Sequence, residues 1–239
     1  MASQSDIKRI SSLSMAKYRQ KYAQFVVEGR KLVQEVFHSG LEIQHFLVTE
    51  EYRNKNETFG NPVVISDRDM KKISHHSTPP GIAVVVKREE PKRPEKIQGA
   101  NLFIDGVSDP GNLGALLRIA DWYGLTEIWL SEDSVDETNP KVIASSMGSF
   151  LRVKCIRTHD FPWQDNIPAV GADLKGDSIY SFEAPTMPYF LVMGSESHGL
   201  REETRKTITN FVHIPKKGGA ESLNLSVSTG IILDRLMIP

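Results

Sequence analysis

The sequence predicts an α/β protein in two parts, the larger built on a mostly parallel sheet. Three observations predict it. Over residues 99–239, short apolar runs suited to strands alternate with stretches of helical period. A charged segment with two prolines, residues 87–99, separates that region from a smaller one. Three polar, glycine-bearing segments each follow a strand candidate, which is where open α/β sheets bind ligands.

In the smaller part, residues 8–19 read as helix, 24–27 as extended, and 29–39 as helix with Leu32, Val33 and Val36 on one face. Gly40 stops that helix, and residues 43–48 form a strand. A strand at 63–65, a short helix from Asp67 and the run 81–86 complete a small α/β unit. Beyond the charged segment, strands are expected at 101–104, 127–130, 153–156, 169–172, 190–193 and 212–214. Helices are expected at 112–123, 140–150, 201–209 and 226–236. This alternation favours a parallel sheet covered on both faces.

The segment 87–99 holds eight charged side chains and one apolar one, so it cannot bury itself and reads as an exposed linker. The chain of 239 residues is 39% hydrophobic and 25% charged, an ordinary globular balance with enough apolar mass for a core. Its longest apolar runs fall far short of the ~20 residues of a membrane span, and the N-terminus lacks the apolar core of a secretion signal. One cysteine, Cys155, fits a reduced, cytoplasmic setting.

A net charge of −1 argues against a nucleic-acid partner only until it is divided. Residues 1–98 hold 17 basic against 12 acidic side chains, a net of +5, and residues 99–239 hold 12 against 18, a net of −6. Residues 1–31 alone carry Lys8, Arg9, Lys17, Arg19, Lys21, Arg30 and Lys31 against Asp6 and Glu28. Such a run is either a solvated helix face or a phosphate-contacting surface.

The first polar segment runs from Asp105 to Arg118, its glycines and proline making a tight turn after the strand, with Asn112 placed to cap the following helix. Arg118 either snorkels from an apolar helix to solvent or grips an anion near the helix start. The second segment, Met193 to Leu200, has glycines at phosphate-loop spacing, but Leu200 and Arg201 stand where Lys and Ser/Thr are required. A dinucleotide fingerprint is also lacking, which disfavours a conventional nucleotide-dependent α/β enzyme. Glu196 is the one carboxylate of this loop, His198 reads as a loop polar residue, and no His or Cys stands nearby at metal-ligand spacing. The third segment, Ile214 to Gly230, crowds Ser222, Asn224, Ser226 and Ser228 at a helix start, more than one cap requires. That density suggests a backbone shaped around a ligand.

In this order, DPGNLGALLRIADWYG, LVMGSESHGL and IPKKGGAESLNLSVSTGIILDRL resemble the three motifs of the SpoU (TrmH) family of RNA ribose 2'-O-methyltransferases, within the SPOUT superfamily. NPKVIASSMGSFLRV between them resembles the family's intermediate segment. KYRQKYAQFVVEGRKLVQEVF and TPPGIAVVV resemble its L30e-like substrate-binding domain, although Pro80, read as a surface change, stands where glutamine is common. The expected organisation is an L30e-like domain at 1–87, a linker at 88–98 and a SPOUT domain at 99–239.

The resemblance implies a deep C-terminal trefoil knot, an exception to the avoidance of knots. It also implies S-adenosylmethionine as cofactor, no metal, and a homodimer whose sites draw on both subunits. Carried over by motif position, the catalytic set is Asn112, Arg118, Glu196, Ser222 and Asn224. The cofactor rests near Met193, Gly194, Ser195, Ile214, Leu223 and Ser226. RNA contacts fall to Lys17, Arg19, Lys21, Arg30 and Lys31. Arginine, with a pKa above ~12, is a poor base, so Arg118 is expected to anchor the target phosphate and ribose, with Glu196 orienting Arg118 or Asn112. Ribosomal RNA is the first substrate expected and transfer RNA the second; a non-catalytic RNA-binding adaptor of the same fold is the competing reading.

Overall fold

The computed structural model describes residues 3–57, 59–163 and 166–238. They form two compact units, one comprising residues 1–90 with 138–151, the other 91–137 with 152–239.

The first unit opens with helices α1 (Gln4–Ser12) and α2 (Ala16–Tyr22), followed by strand β1 (Gln24–Glu28), α3 (Arg30–Ser39), β2 (Ile43–Thr49), α4 (Glu50–Lys55), β3 (Val63–Ile65), α5 (Asp67–Ile73) and β4 (Ile82–Lys87). The single helix expected over 8–19 is thus two. Leu13 ends α1, and Met15 is extended at the start of α2. The short α4 has no counterpart among the sequence expectations; its N-cap is Thr49, whose hydroxyl accepts from Tyr52 N–H at 3.1 Å. Pro80 is half-buried rather than exposed.

The strands lie in the order β1-β4-β2-β3, with β4 antiparallel to both neighbours and β2 parallel to β3. Side chains alternate across this sheet apart from an irregularity between Ile43 and His45 of β2. Phe25, Val27, Phe46, Val48, Ile82, Val84 and Val86 enter one core, packed with Val33 and Val36 of α3. Val26, Leu47, Ala83 and Val85 enter the other, with Ile7, Ile10, Met70 and Ile73 of α1 and α5. Both faces are covered, which is why β1 and nearly all of β4 are buried although the strands are antiparallel.

Arg19 belongs to this interior and not to a phosphate-contacting surface. It is 2% exposed, and its guanidinium donates to the carbonyls of Leu13 and Ser14 at 2.9 and 3.0 Å and to Thr138 Oγ1 at 3.3 Å. The two carbonyls it satisfies are those freed where α1 ends. Lys17, Lys21, Arg30 and Lys31 remain exposed. Replacing Arg19 with Met should destabilise the protein by about 3 kcal/mol, since buried acceptors lose a charged donor; a lowered urea midpoint with unchanged slope is the expected reading.

The second unit holds β5 (Ala100–Asp105), α6 (Pro110–Trp122), β6 (Glu127–Ser131), then, after α7 (Pro140–Ser146), β7 (Lys154–Thr158), β8 (Ala169–Ser178), β9 (Tyr189–Gly194), α8 (Glu202–Lys206), β10 (Asn210–His213) and α9 (Leu225–Met237). The six strands, ordered β10-β8-β9-β5-β6-β7, are parallel throughout. Central strands β5 and β9 are almost wholly buried, as their continuous apolar runs require.

Helix α7 and the 3-10 turn Ser149–Leu151 pack with the first unit, where Ile143, Phe150 and Leu151 join the core around Phe25 and Val27. Left-handed Met147 and Gly148 interrupt the helix expected over 140–150. Among the described residues, no helix is long and apolar enough to cross a membrane.

Candidate active site

The chain leaves β5 toward β6 and β7 on one side, then returns through β8 and β9 on the other, so strand order reverses between β5 and β9. Asp105 and Gly194, at the carboxyl ends of these two strands, stand in register. Such a reversal leaves a crevice beyond the strand ends, and the loops carrying the first two motifs meet there.

Asp109, and not Asn112, caps α6. Its Oδ1 accepts from Asn112 N–H at 2.8 Å, with Pro110 at the first helical position. The Asn112 side chain is therefore available, and its Nδ2 donates to Glu196 Oε1 at 2.5 Å. Asn224 caps α9 with Oδ1, which accepts from Ser226 N–H, Val227 N–H and Ser226 Oγ at 3.0, 3.3 and 2.6 Å. That commitment turns its Nδ2 outward, to Asn112 Oδ1 at 2.9 Å and Glu196 Oε1 at 3.1 Å. Three motifs separated by up to 112 residues thus converge on one carboxylate oxygen.

The Glu196 loop is a tight return. Ser195 N–H donates to Gly199 O at 3.0 Å and Gly199 N–H to Ser195 O at 2.9 Å. The return lies so close over the end of β9 that a Cβ on Gly194 would overlap the backbone of Gly199 and Leu200. Only glycine fits there.

Beside this cluster lies a cavity of about 710 Å³. Met193, Gly194, Ser195, Ile214 and Leu223 line it, together with Glu196 and Ser222. Ser226 does not line it; the residue is 8% exposed and spends its hydroxyl on the α9 cap. Leu200, Leu225 and Ile232 add apolar wall, and Leu174 and Lys175 of β8 close one side. These β8 positions were not legible as site residues, because an exposed stretch within a strand carries no motif. Asp173 on the same wall is hydrogen-bonded by Arg205, which holds its carboxyl below the usual range despite partial desolvation.

Arg118 stands apart. It is exposed on α6 and makes no hydrogen bond or ion pair among the described residues, so Glu196 orients Asn112 and Asn224 but not Arg118.

The SpoU rRNA Methylase family matches residues 99–234, more than half of the chain. The chain belongs to the SpoU rRNA methylase family. An MRM3-like substrate binding domain matches residues 4–84. The chain is 30% identical over 239 residues to the 23S rRNA (guanosine(2553)-2'-O)-methyltransferase RlmP of Bacillus subtilis, covering 96% of this chain and 95% of that one. Among solved structures, one described as an RNA methyltransferase of the TrmH family from Porphyromonas gingivalis is 34% identical, with TM-score 0.86 over 99% of this chain and 98% of that one. An AdoMet-bound rRNA methyltransferase from Sinorhizobium meliloti is 26% identical, with TM-score 0.83 over 99% and 96%. The SpoU architecture expected from the motifs, with its parallel sheet, is the one observed.

Proposed function

We propose that this SpoU family member transfers the methyl group of S-adenosylmethionine to a ribose 2'-hydroxyl of ribosomal RNA. The observation that carries the proposal is the convergence of Asn112, Glu196 and Asn224 beside a cavity of about 710 Å³. The similarity of nearly the whole chain to an rRNA 2'-O-methyltransferase supports ribosomal over transfer RNA.

The residues present fit the cofactor. The cavity falls within the size range of small-ligand pockets, its apolar wall at Met193, Leu200 and Ile232 suits a purine, and Ser195, Glu196 and Ser222 on the same wall offer polar partners. Met193, Gly194, Ser195, Ile214 and Leu223 would hold it. Bound there, it supplies a methyl group already activated by its sulfonium.

What remains for the chain is to align a hydroxyl and to manage one proton. Glu196 Oε1 is committed to the two asparagine amides, whereas Oε2 has no partner among the described residues and can accept the hydrogen bond of the incoming ribose hydroxyl. Asn112 and Asn224 fix the carboxylate plane by donating to Oε1, and Ser222 at the cavity edge offers a further hydroxyl to the ribose. Arg118 anchors the adjoining phosphate.

A homodimer belongs to this reading. Trp122, 85% exposed at the end of α6, and Val227, 50% exposed on α9, are large apolar side chains on two helices that pack together. A twofold contact through them would bring in an Arg118 from a second copy. The trefoil knot belongs to it too: from β10, at the sheet edge, the chain passes through residues 214–224 to α9, which packs on central β9. Division into residues 1–87, 88–98 and 99–239 remains the functional assignment, the first part for RNA and the last for chemistry.

Incubation with labelled S-adenosylmethionine and separate rRNA and tRNA transcripts tests the proposal. The expected product is an alkali-resistant dinucleotide from rRNA; base methylation, or no transfer to either RNA, would overturn it. Salt supplies another check. Raising it from 50 to 200 mM, roughly the range over which phosphate contacts lose orders of magnitude, should weaken RNA binding far more than S-adenosylhomocysteine binding, the two read by filter binding and calorimetry.

A further inference from the structure

We infer that Asp105 and Arg201 are positioning residues for methyl transfer, a clasp that sets Glu196 against Asn112 and Asn224. The inference rests on the function proposed above and concerns two side chains outside its catalytic set.

Asp105 ends β5, and its side chain is fully buried. Arg201 follows the Glu196 loop directly, 96 residues later. Its backbone N–H donates to Asp105 Oδ2 at 2.9 Å and its Nε to Oδ1 at 2.6 Å, while Nη2 pairs with the same Oδ1. Nη1 reaches Asp133 Oδ1 at 3.4 Å, and Asp133 is itself held by Ser131 Oγ at 2.7 Å. One guanidinium therefore ties the exit of the Glu196 loop to the ends of both β5 and β6. At the loop's entrance, Gly194 is in register with Asp105. A single carboxylate thus stands beside one end of the loop and binds the other.

A buried ion pair is weak evidence for stability, since apolar residues of equal volume often serve as well. What it does supply is direction. Three donors on Asp105 fix the rotation of residue 201, and from there the Ser195–Gly199 return leaves Glu196 little freedom. Arg201 does not itself line the cavity and makes no hydrogen bond to the asparagines, although its neighbour Leu200 is part of the wall, so a loss of rate at unchanged S-adenosylhomocysteine affinity passes through Glu196.

A double-mutant cycle on the full chain separates this from general support. Arg201→Met should lower the single-turnover rate about tenfold in the parent, but by less than about twofold when Glu196 is already Ala. Arg201→Lys, which keeps the charge and loses the fork, should recover part of the rate. Amide exchange supplies a readout independent of activity. Ser195 and Gly199 N–H should exchange about tenfold faster in Arg201→Met, with the β5 and β9 amides unchanged. Equal losses in both backgrounds, or unaltered exchange at Ser195 and Gly199, would overturn the clasp. An inactive parent would overturn the functional reading instead, leaving amide exchange to decide the clasp.

Discussion

Arg118→Ala is expected to lower the methylation rate about a hundredfold while leaving S-adenosylhomocysteine affinity within about twofold. The side chain is exposed, makes no hydrogen bond or ion pair among the described residues, and lies outside the cavity wall, so neither folding nor cofactor binding depends on it. Its loss removes the cation proposed to anchor the target phosphate. If each site draws Arg118 from one subunit and Glu196 from the other, mixing the impaired Arg118→Ala and Glu196→Ala proteins raises the rate above that of either alone. Random exchange makes half of the dimers mixed and leaves one intact site in each, about a quarter of the parent rate. A loss of cofactor affinity equal to the loss of rate would refute the assigned role, and no recovery on mixing would place Arg118 in the same subunit's site.

Gly194→Ala should be as damaging by a different route. The new methyl group overlaps backbone atoms of Gly199 and Leu200, which cannot swing aside as a side chain would. Either the Ser195–Gly199 return lifts from β9 or the strand end shifts, at a cost of roughly 3 kcal/mol, and in both cases the cavity wall moves. A melting temperature lowered by several degrees and loss of calorimetric cofactor binding are the expected results. Gly199→Ala provides the contrast. That position has φ +67° and nothing near the added Cβ, so the cost is only left-handed strain of about 1 kcal/mol. Equal behaviour of the two variants would show that close approach is not what requires Gly194.

The parts of the site legible in the sequence are those whose geometry is local. A strand followed by a proline-glycine turn and a helix places Asn112 beyond β5, and the serine- and asparagine-rich start of α9 announces a shaped terminus. Where two neighbours compete for one local role, the reading falters. Asp109 and Asn112 are both good caps, and Pro110 decides for Asp109 by taking the first helical position. Charge composition misleads at Arg19, since an arginine that satisfies carbonyls at a helix end looks identical in sequence to one in solvent. The pairing of Asp105 with Arg201 was illegible for another reason: it spans 96 residues and depends on strand order, which no periodicity encodes. Likewise the helical period of α7 shows that it has an apolar face, not which core receives it.

That last placement bears on how such a protein can be rearranged by recombination. The N-terminal unit resembles a cassette, ending in a charged stretch that invites a cut near residue 90. Yet Ile143, Phe150 and Leu151, encoded about fifty to sixty residues beyond that cut, fill part of its interior. A gene fusion that moved only the first ninety codons would deliver an N-terminal module with a gap under Phe25 and Val27. Exchange of the N-terminal unit between relatives therefore has to carry the 138–151 insert with it, which requires two breakpoints inside the gene segment of the second unit in addition to the one at the linker.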